Sequence, residues 1–275
     1  MRFGLDLAQH QLGWDELVRR ARLAERLGFD GAWVFDHFRP LYGDPAGPCL
    51  EGWTLLAGLA AATSRLRLGT LVTGVTYRSP ALLAAQAVTV DHISSGRLEL
   101  GIGAAWSEQE HRRLGLAFPP LAERTDRLEE AVQVMRFLMT MDNVTYLGRH
   151  YRLKGATYHP RPVQRPTPPV WIGGSGVRYT LPVVARAADV WHGFGSVAAL
   201  ARRSKLIDEH AERAGRDPEA IMRAASVSIS ASKTEVEDRI EGLMKAGFGY
   251  LVVSWPEIGQ ERVEEFAEVL MPAFV

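Results

Sequence analysis

Eight short apolar segments with strand character recur along the chain, each followed by a longer stretch of helical spacing. They fall at 2–7, 31–35, 67–72, 98–103, 170–172, 189–191, 222–228 and 250–253. Between them the apolar period changes: Trp14, Leu17, Val18 and Ala21, and likewise Leu128, Ala131, Val132 and Met135, stand at i, i+3, i+4 and i+7, one face of a helix. Gly28 and Gly247 close helical stretches, where a left-handed cap favours glycine. Strands alternating with helices predict a parallel sheet, and eight strands close one into a (β/α)8 TIM barrel. A doubly wound open sheet is the alternative. The Gly101-Ile102-Gly103 pair does not support it, because Trp106 stands where a dinucleotide fingerprint needs its third glycine. With 275 residues, 47% of them hydrophobic, one domain over residues 1–275 buries a sizeable core.

One segment, 142–169, breaks the rhythm as an insertion before strand 5. Two short β patterns, 144–146 and 151–153, flank Gly148, and Pro160, Pro162, Pro166, Pro168 and Pro169 follow. So many prolines forbid a helix and favour extended chain. The reading is a connection lying over one end of the barrel, with a lid as the lesser alternative.

Several function classes are excluded early. The 32 basic and 32 acidic residues cancel, and no basic run of the kind that binds nucleic acid occurs. Cys49 is the one cysteine, so neither an intrachain disulfide nor a cysteine-rich metal site is expected. No apolar run reaches the roughly 18 residues of a membrane span, and the start MRFGLDLAQ enters a strand directly, so a cytoplasmic protein is expected. No H-E-x-x-H or G-x-S-x-G motif occurs, which disfavours metal-assisted and acyl-transfer hydrolysis.

In such a barrel, chemistry gathers where strands end. The ends here supply Asp6 and Gln9; Asp36, His37, Phe38 and Arg39; Val72, Thr73, Gly74, Tyr77 and Arg78; Ala104, Ala105, Trp106 and Gln109; Gly173 to Gly176; Trp191 and His192; Ser228; Ser254 and Trp255. Aromatic surface and few nucleophiles suit an enzyme whose cofactor carries the reaction. In Ile172-Gly173-Gly174-Ser175-Gly176, three glycines let the backbone approach a ligand, and a helix beginning near Val177 aims free N–H groups at it. Phosphate is the reading, with charge added by Arg178; a plain tight turn is the alternative. His37 stands beside Asp36, an acid placed to fix its tautomer. His92 and Arg97 read as structural, His111, His150, His159 and His210 as solvated or in loops, and Trp33 as sheet packing; Trp106 and Trp255 either stack on a ring or fill space.

The segments GAWVFDHF, TYRSPALLAAQAVTVDHISSGRLELGIGAAW, ERTDRLEEAV and RPVQRPTPPVWIGGSG followed by ADVW carry a resemblance over nearly the whole chain. It resembles the luciferase-like monooxygenase superfamily, in particular its branch of deazaflavin (coenzyme F-420)-dependent oxidoreductases. The resemblance implies F-420, or FMN, at the C-terminal mouth of the barrel. It implies a non-prolyl cis peptide at Leu71–Val72 behind the ring, and contacts to the ring system from Asp36 and Gly74. Leu71, Val72, Thr73, Ala104, Ala105, Trp106 and Gln109 complete the expected ring surroundings. Gly173 and Gly174, with Ile172, Ser175 and Gly176, are expected to hold the cofactor phosphate, and His37 to be catalytic. Two departures stand out: Trp106 where sugar-phosphate dehydrogenases of the branch have a glutamate, and Ala105 where glycine is usual.

Three functions follow. The first is hydride transfer between F-420 and a small organic substrate, with His37 handling a proton. The second is an FMNH2- and O2-using monooxygenase, and the third a non-catalytic protein that binds the cofactor. The substrate would be chosen by 39–48 and 142–169, and a homodimer is expected through the apolar helices at 81–90 and 128–138.

Overall fold

All 275 residues are described in the computed structural model of the chain. The strands are β1 (Arg2–Asp6), β2 (Gly31–Val34), β3 (Arg67–Thr70), β4 (Thr73–Gly74), β5 (Leu98–Gly103), β6 (Val144–Leu147), β7 (Arg152–Ala156), β8 (Val170–Gly173), β9 (Val190–Gly193), β10 (Met222–Ser228) and β11 (Tyr250–Ser254). The helices are α1 (Trp14–Arg26), α2 (Gly52–Ala62), α3 (Pro80–Ile93), α4 (Glu108–Arg113), α5 (Leu121–Thr140), α6 (Thr180–Ala187), α7 (Val197–Arg213), α8 (Lys233–Lys245) and α9 (Gln260–Glu265). All but β6 and β7 form one sheet in the order β3-β2-β1-β11-β10-β9-β8-β5-β4, and β3 pairs back onto β5. That pairing closes a parallel eight-position barrel inside a ring of helices.

The third position differs from a continuous strand over 67–72. It stops at Thr70 and resumes at Thr73, with a cis peptide at Leu71–Val72 between. Below the break β3 pairs with β2; above it β4 pairs only with β5, Thr73 opposite Ile102 and Gly74 opposite Gly103. The strand therefore leaves β2 at its upper end, which opens the mouth there.

Packing inside the barrel is decided by glycines set against aromatics. A Cβ on Gly4 would stand 2.4 Å from Trp33 Nε1, and one on Gly69 2.4 Å from Trp33 Cζ3. Trp33 and Trp171 lie with ring centroids 4.3 Å apart, and Tyr250 meets Trp171 edge-on at 5.0 Å. Trp171 Nε1 donates to Glu99 (2.5 Å), so the one buried acid in this plug is hydrogen-bonded. A second set of glycines lies higher: Cβ atoms on Gly103 and Gly173 would meet Val72 at 2.7 and 3.0 Å. Val72 fills that space and seals the barrel from above.

Residues 142–169 run down the flank of the barrel and not across its end. The β6–β7 hairpin rests on α5, where the Glu130 carboxylate accepts from the N–H groups of Arg149, His150 and Tyr151 (2.9, 2.9 and 3.1 Å). Farther on, Tyr158 donates to Ala85 O of α3, Arg161 to Leu138 O of α5, and Gln164 to Asp91 and to Leu98 O at the start of β5. A parallel strand must be entered from the same end as its neighbours, and this route delivers the chain to Val170. Most of the expected helical seam is consumed: Leu128, Ala131, Val132, Met135 and Leu138 of α5 and Leu83, Ala84, Ala87, Val88 and Val90 of α3 are buried, which leaves Leu82 exposed within 81–90 and Ile93 beyond it. No helix is long and apolar enough to cross a membrane.

Candidate active site

Above the Val72 plug lies a cavity of about 380 Å³, in the range of small-ligand sites. Its floor is Leu71, Val72, Gly74 and Gly103, and its walls come from Ala104, Ala105 and Trp106 on one side and Gly173 and Gly174 on the other. His37 opens into it from the end of β2. Absent side chains make the floor flat: a Cβ on Gly74 would press 2.8 Å from the Tyr77 ring. Large apolar groups ring the entrance, with Trp106 67% and Phe194 54% exposed.

Not every expected residue reaches this space. Asp36 is 1% exposed and forms a bidentate pair with Arg78, which also holds Glu51. The Thr73 hydroxyl accepts from Trp53 Nε1 (2.7 Å) and faces Thr70, and Ile172 is packed in the core. Gln109 lies on the solvent side of α4. Ser175 and Gly176 extend the loop past the cavity edge, where Ser175 Oγ accepts from the Phe194 N–H (3.1 Å). The helix after that loop begins at Thr180, three residues later than Val177. Consequently the N–H groups of Ser175, Gly176, Val177 and Arg178 donate to no group of the chain. Thr180 Oγ1 faces the same loop, 2.9 Å from where a Gly176 Cβ would stand. Arg178 is exposed, its guanidinium over the Tyr179 ring at 5.1 Å.

The partner of His37 is Glu110, not Asp36. His37 Nδ1 lies 2.7 Å from Glu110 Oε2, the Phe38 N–H donates to Oε1 (2.9 Å), and Tyr77 donates to Oε2 (2.5 Å). Burial alone would raise the Glu110 carboxyl, but the bonds from His37, Tyr77 and Phe38 overbalance it and hold the acid below its ordinary range. An ionised Glu110 accepts only, so Nδ1 carries the proton and Nε2, without a partner in the chain, faces the cavity. Burial and the same carboxylate push the Tyr77 phenol up, keeping it a donor. His111 is not solvated but fully buried, with Nε2 on Thr76 Oγ1 (2.6 Å) and its ring stacked on Tyr77.

Glu110, Thr180, Leu121 and Phe194 escaped the reading of the sequence. In the six-residue α4, Glu108, Gln109 and Glu110 follow one another, and so short a run shows no period to say which faces inward. Trp106 meets His37 edge-on at 5.4 Å, whereas Trp255 is covered by the Arg20 guanidinium at 3.8 Å and presents no free face there.

A planar apolar ligand fits this floor, and an anionic tail fits the free amides beside it. The luciferase-like monooxygenase family matches residues 1–258. An F-420-dependent glucose-6-phosphate dehydrogenase of Amycolatopsis mediterranei is 32% identical over 84% of this chain and 69% of its own. In fold, the chain superposes with a TM-score of 0.89 on an F-420-dependent secondary alcohol dehydrogenase, 21% identical and covered over 100% and 99% of the two chains. A monooxygenase of Streptomyces bottropensis superposes at 0.83, with 22% identity and full coverage of both chains.

Proposed function

The chain belongs to the luciferase-like monooxygenase family, and from that premise we propose that it is a deazaflavin (coenzyme F-420)-dependent oxidoreductase acting on a small, uncharged organic alcohol or carbonyl compound. Leu71, Val72 and Gly74 would carry the ring, and the amides of residues 175–178 with Thr180 the phosphate. When bound, the deazaflavin supplies the hydride acceptor or donor.

The observation that carries the reading is the His37–Glu110 pair. Exchanging a hydride at an alcohol carbon requires a proton to leave or reach its oxygen, and His37 Nε2 is the group that faces the cavity for this purpose. Glu110 holds the Nδ1 proton and stabilises the imidazolium when His37 takes up a second one. Trp106, Leu121 and Phe194 cover the entrance with apolar surface, which excludes water around the reacting oxygen.

Charge narrows the substrate. No lysine or arginine lines the cavity: Arg78 is neutralised by Asp36 and Glu51, and Arg124 is turned onto the carbonyls of Ala104 and Pro119 with its face on Phe118. A phosphate ester brought to this wall would lie against apolar side chains without a counter-charge. The reading therefore separates this chain from sugar-phosphate oxidation, the activity named for its relative. It extends to a homodimer seamed at Leu82 and Ile93 of α3, which sedimentation velocity would read.

The test is a fluorescence titration of the purified protein with F-420 and with FMN, followed by assay against glucose-6-phosphate and a panel of uncharged secondary alcohols and ketones. Micromolar or tighter F-420 binding, alcohol turnover and its loss in His37→Ala are expected. Preferential FMN binding with oxygen consumption would replace the proposal by a monooxygenase.

A further inference from the structure

We propose that Arg203 and Arg239 form a second anion subsite beside the amide loop, built for the acidic extension of a deazaflavin tail beyond its phosphate. This rests on the F-420 reading above. Arg203 of α7 donates through Nη1 to Phe194 O (2.8 Å), and Arg239 of α8 through Nη2 to Gly195 O (3.0 Å) and Ser226 O (3.1 Å). Neither has a carboxylate within the 4.0 Å of an ion pair. Arg127, Arg136 and Arg223 do have one, in Glu123, Asp189 and Asp208, whereas Arg97 and Arg124 lie on carbonyls in the same way.

Carbonyls orient a guanidinium without neutralising it, and each arginine uses one of its terminal nitrogens this way, leaving further donors free. Two positive charges thus stand half-buried and uncompensated at the ends of β9 and β10. The loop they clasp touches the amide cradle itself, because the Phe194 N–H donates to Ser175 Oγ (3.1 Å). One continuous rim therefore runs from the free amides of 175–178 to the two guanidiniums, with Arg178 exposed at its near end.

A ligand filling the whole rim must carry a phosphate followed by more negative charge. FMN ends at its monophosphate. F-420 continues through a phospholactyl ester into glutamates, each adding a carboxylate, and planar forks of N–H donors suit carboxylates. The subsite gives the chain a means of choosing between two cofactors whose rings fit the same floor.

Binding can be read without turnover, by fluorescence titration of oxidised F-420 bearing several glutamates, of its phospholactyl form without glutamates, and of FMN. Wild type should bind the glutamylated form about tenfold more tightly than the short form at low ionic strength, two exposed-to-half-buried ion pairs contributing a few-fold each. The ratio should fall towards one in 0.5 M salt and in the Arg203→Ala/Arg239→Ala double variant. Using the ratio within each protein separates the tail from damage to the 194–195 loop, which would weaken both forms alike. Equal affinities in wild type, or a ratio unchanged in the double variant while both deazaflavins bind, would overturn the subsite and leave the F-420 reading standing. FMN binding with neither deazaflavin bound would overturn both.

Discussion

A histidine that must take a proton and return it needs its second nitrogen held, and here the holder is 73 residues away in sequence. Removing His37 should eliminate the acid–base contribution, roughly 10²–10⁴-fold in kcat, and Glu110→Gln should lose about one decade. Glu110→Asp, which keeps a carboxylate for Nδ1, should restore much of that loss, whereas a glutamate needed only for packing would be rescued no better by aspartate than by glutamine. A second residue, Ala105, sits at φ +59° beside the cavity. A left-handed alanine costs about 1–2 kcal/mol and glycine's extra chain entropy about 0.5–1 kcal/mol, so Ala105→Gly should stabilise by about 0.5 kcal/mol in urea titration. The family resemblance implies a glycine here, and the positive φ is a backbone angle that favours one.

Elements were legible where burial dictates pattern. Strands of a parallel sheet are covered on both faces and read as short apolar runs, which is why β5 and β10 fall at 98–103 and 222–228 as the sequence predicts. The break between β3 and β4 was legible only through the family resemblance, because Leu71 and Val72 are as apolar as any strand residue. Its packing consequence is testable. A Cβ at position 103 would meet the Val72 side chain at 2.7 Å, one at position 101 the Thr70 carbonyl oxygen at 1.8 Å. Gly103→Ala should destabilise by about 1–3 kcal/mol, the usual overpacking range, and adding Val72→Ala should recover much of it. Gly101→Ala should cost more and gain nothing from Val72→Ala, since backbone cannot be trimmed. A double-mutant cycle by urea denaturation measures the coupling, and additive energies for the 103–72 pair would refute the account.

At the scale of the molecule, eight strand–helix repeats announce the barrel, but what its upper interior contains is a product of closure and cannot be read locally. Alternate residues of β1 place Gly4 and Asp6 inward, one giving room to aromatic rings and the other putting a carboxyl beneath the mouth. Burial raises Asp6 from 3.8 to about 6, against the Ala8 N–H and Arg20, which pull the other way. A carboxyl whose folded value exceeds its unfolded one draws protons into the folded state. Its cost is therefore absent below about pH 4, grows as pH rises through 4 to 6, and is constant above. Two pH units correspond to about 3 kcal/mol, and because Asp6 is not wholly shielded from water about 1–2 kcal/mol is expected. Asp6→Asn keeps an oxygen for the Ala8 N–H and removes the charge. Urea unfolding should show it more stable than wild type by that amount at pH 7.5 and indistinguishable at pH 4. A gain of equal size at both pH values would mean that packing, not the buried charge, sets the difference.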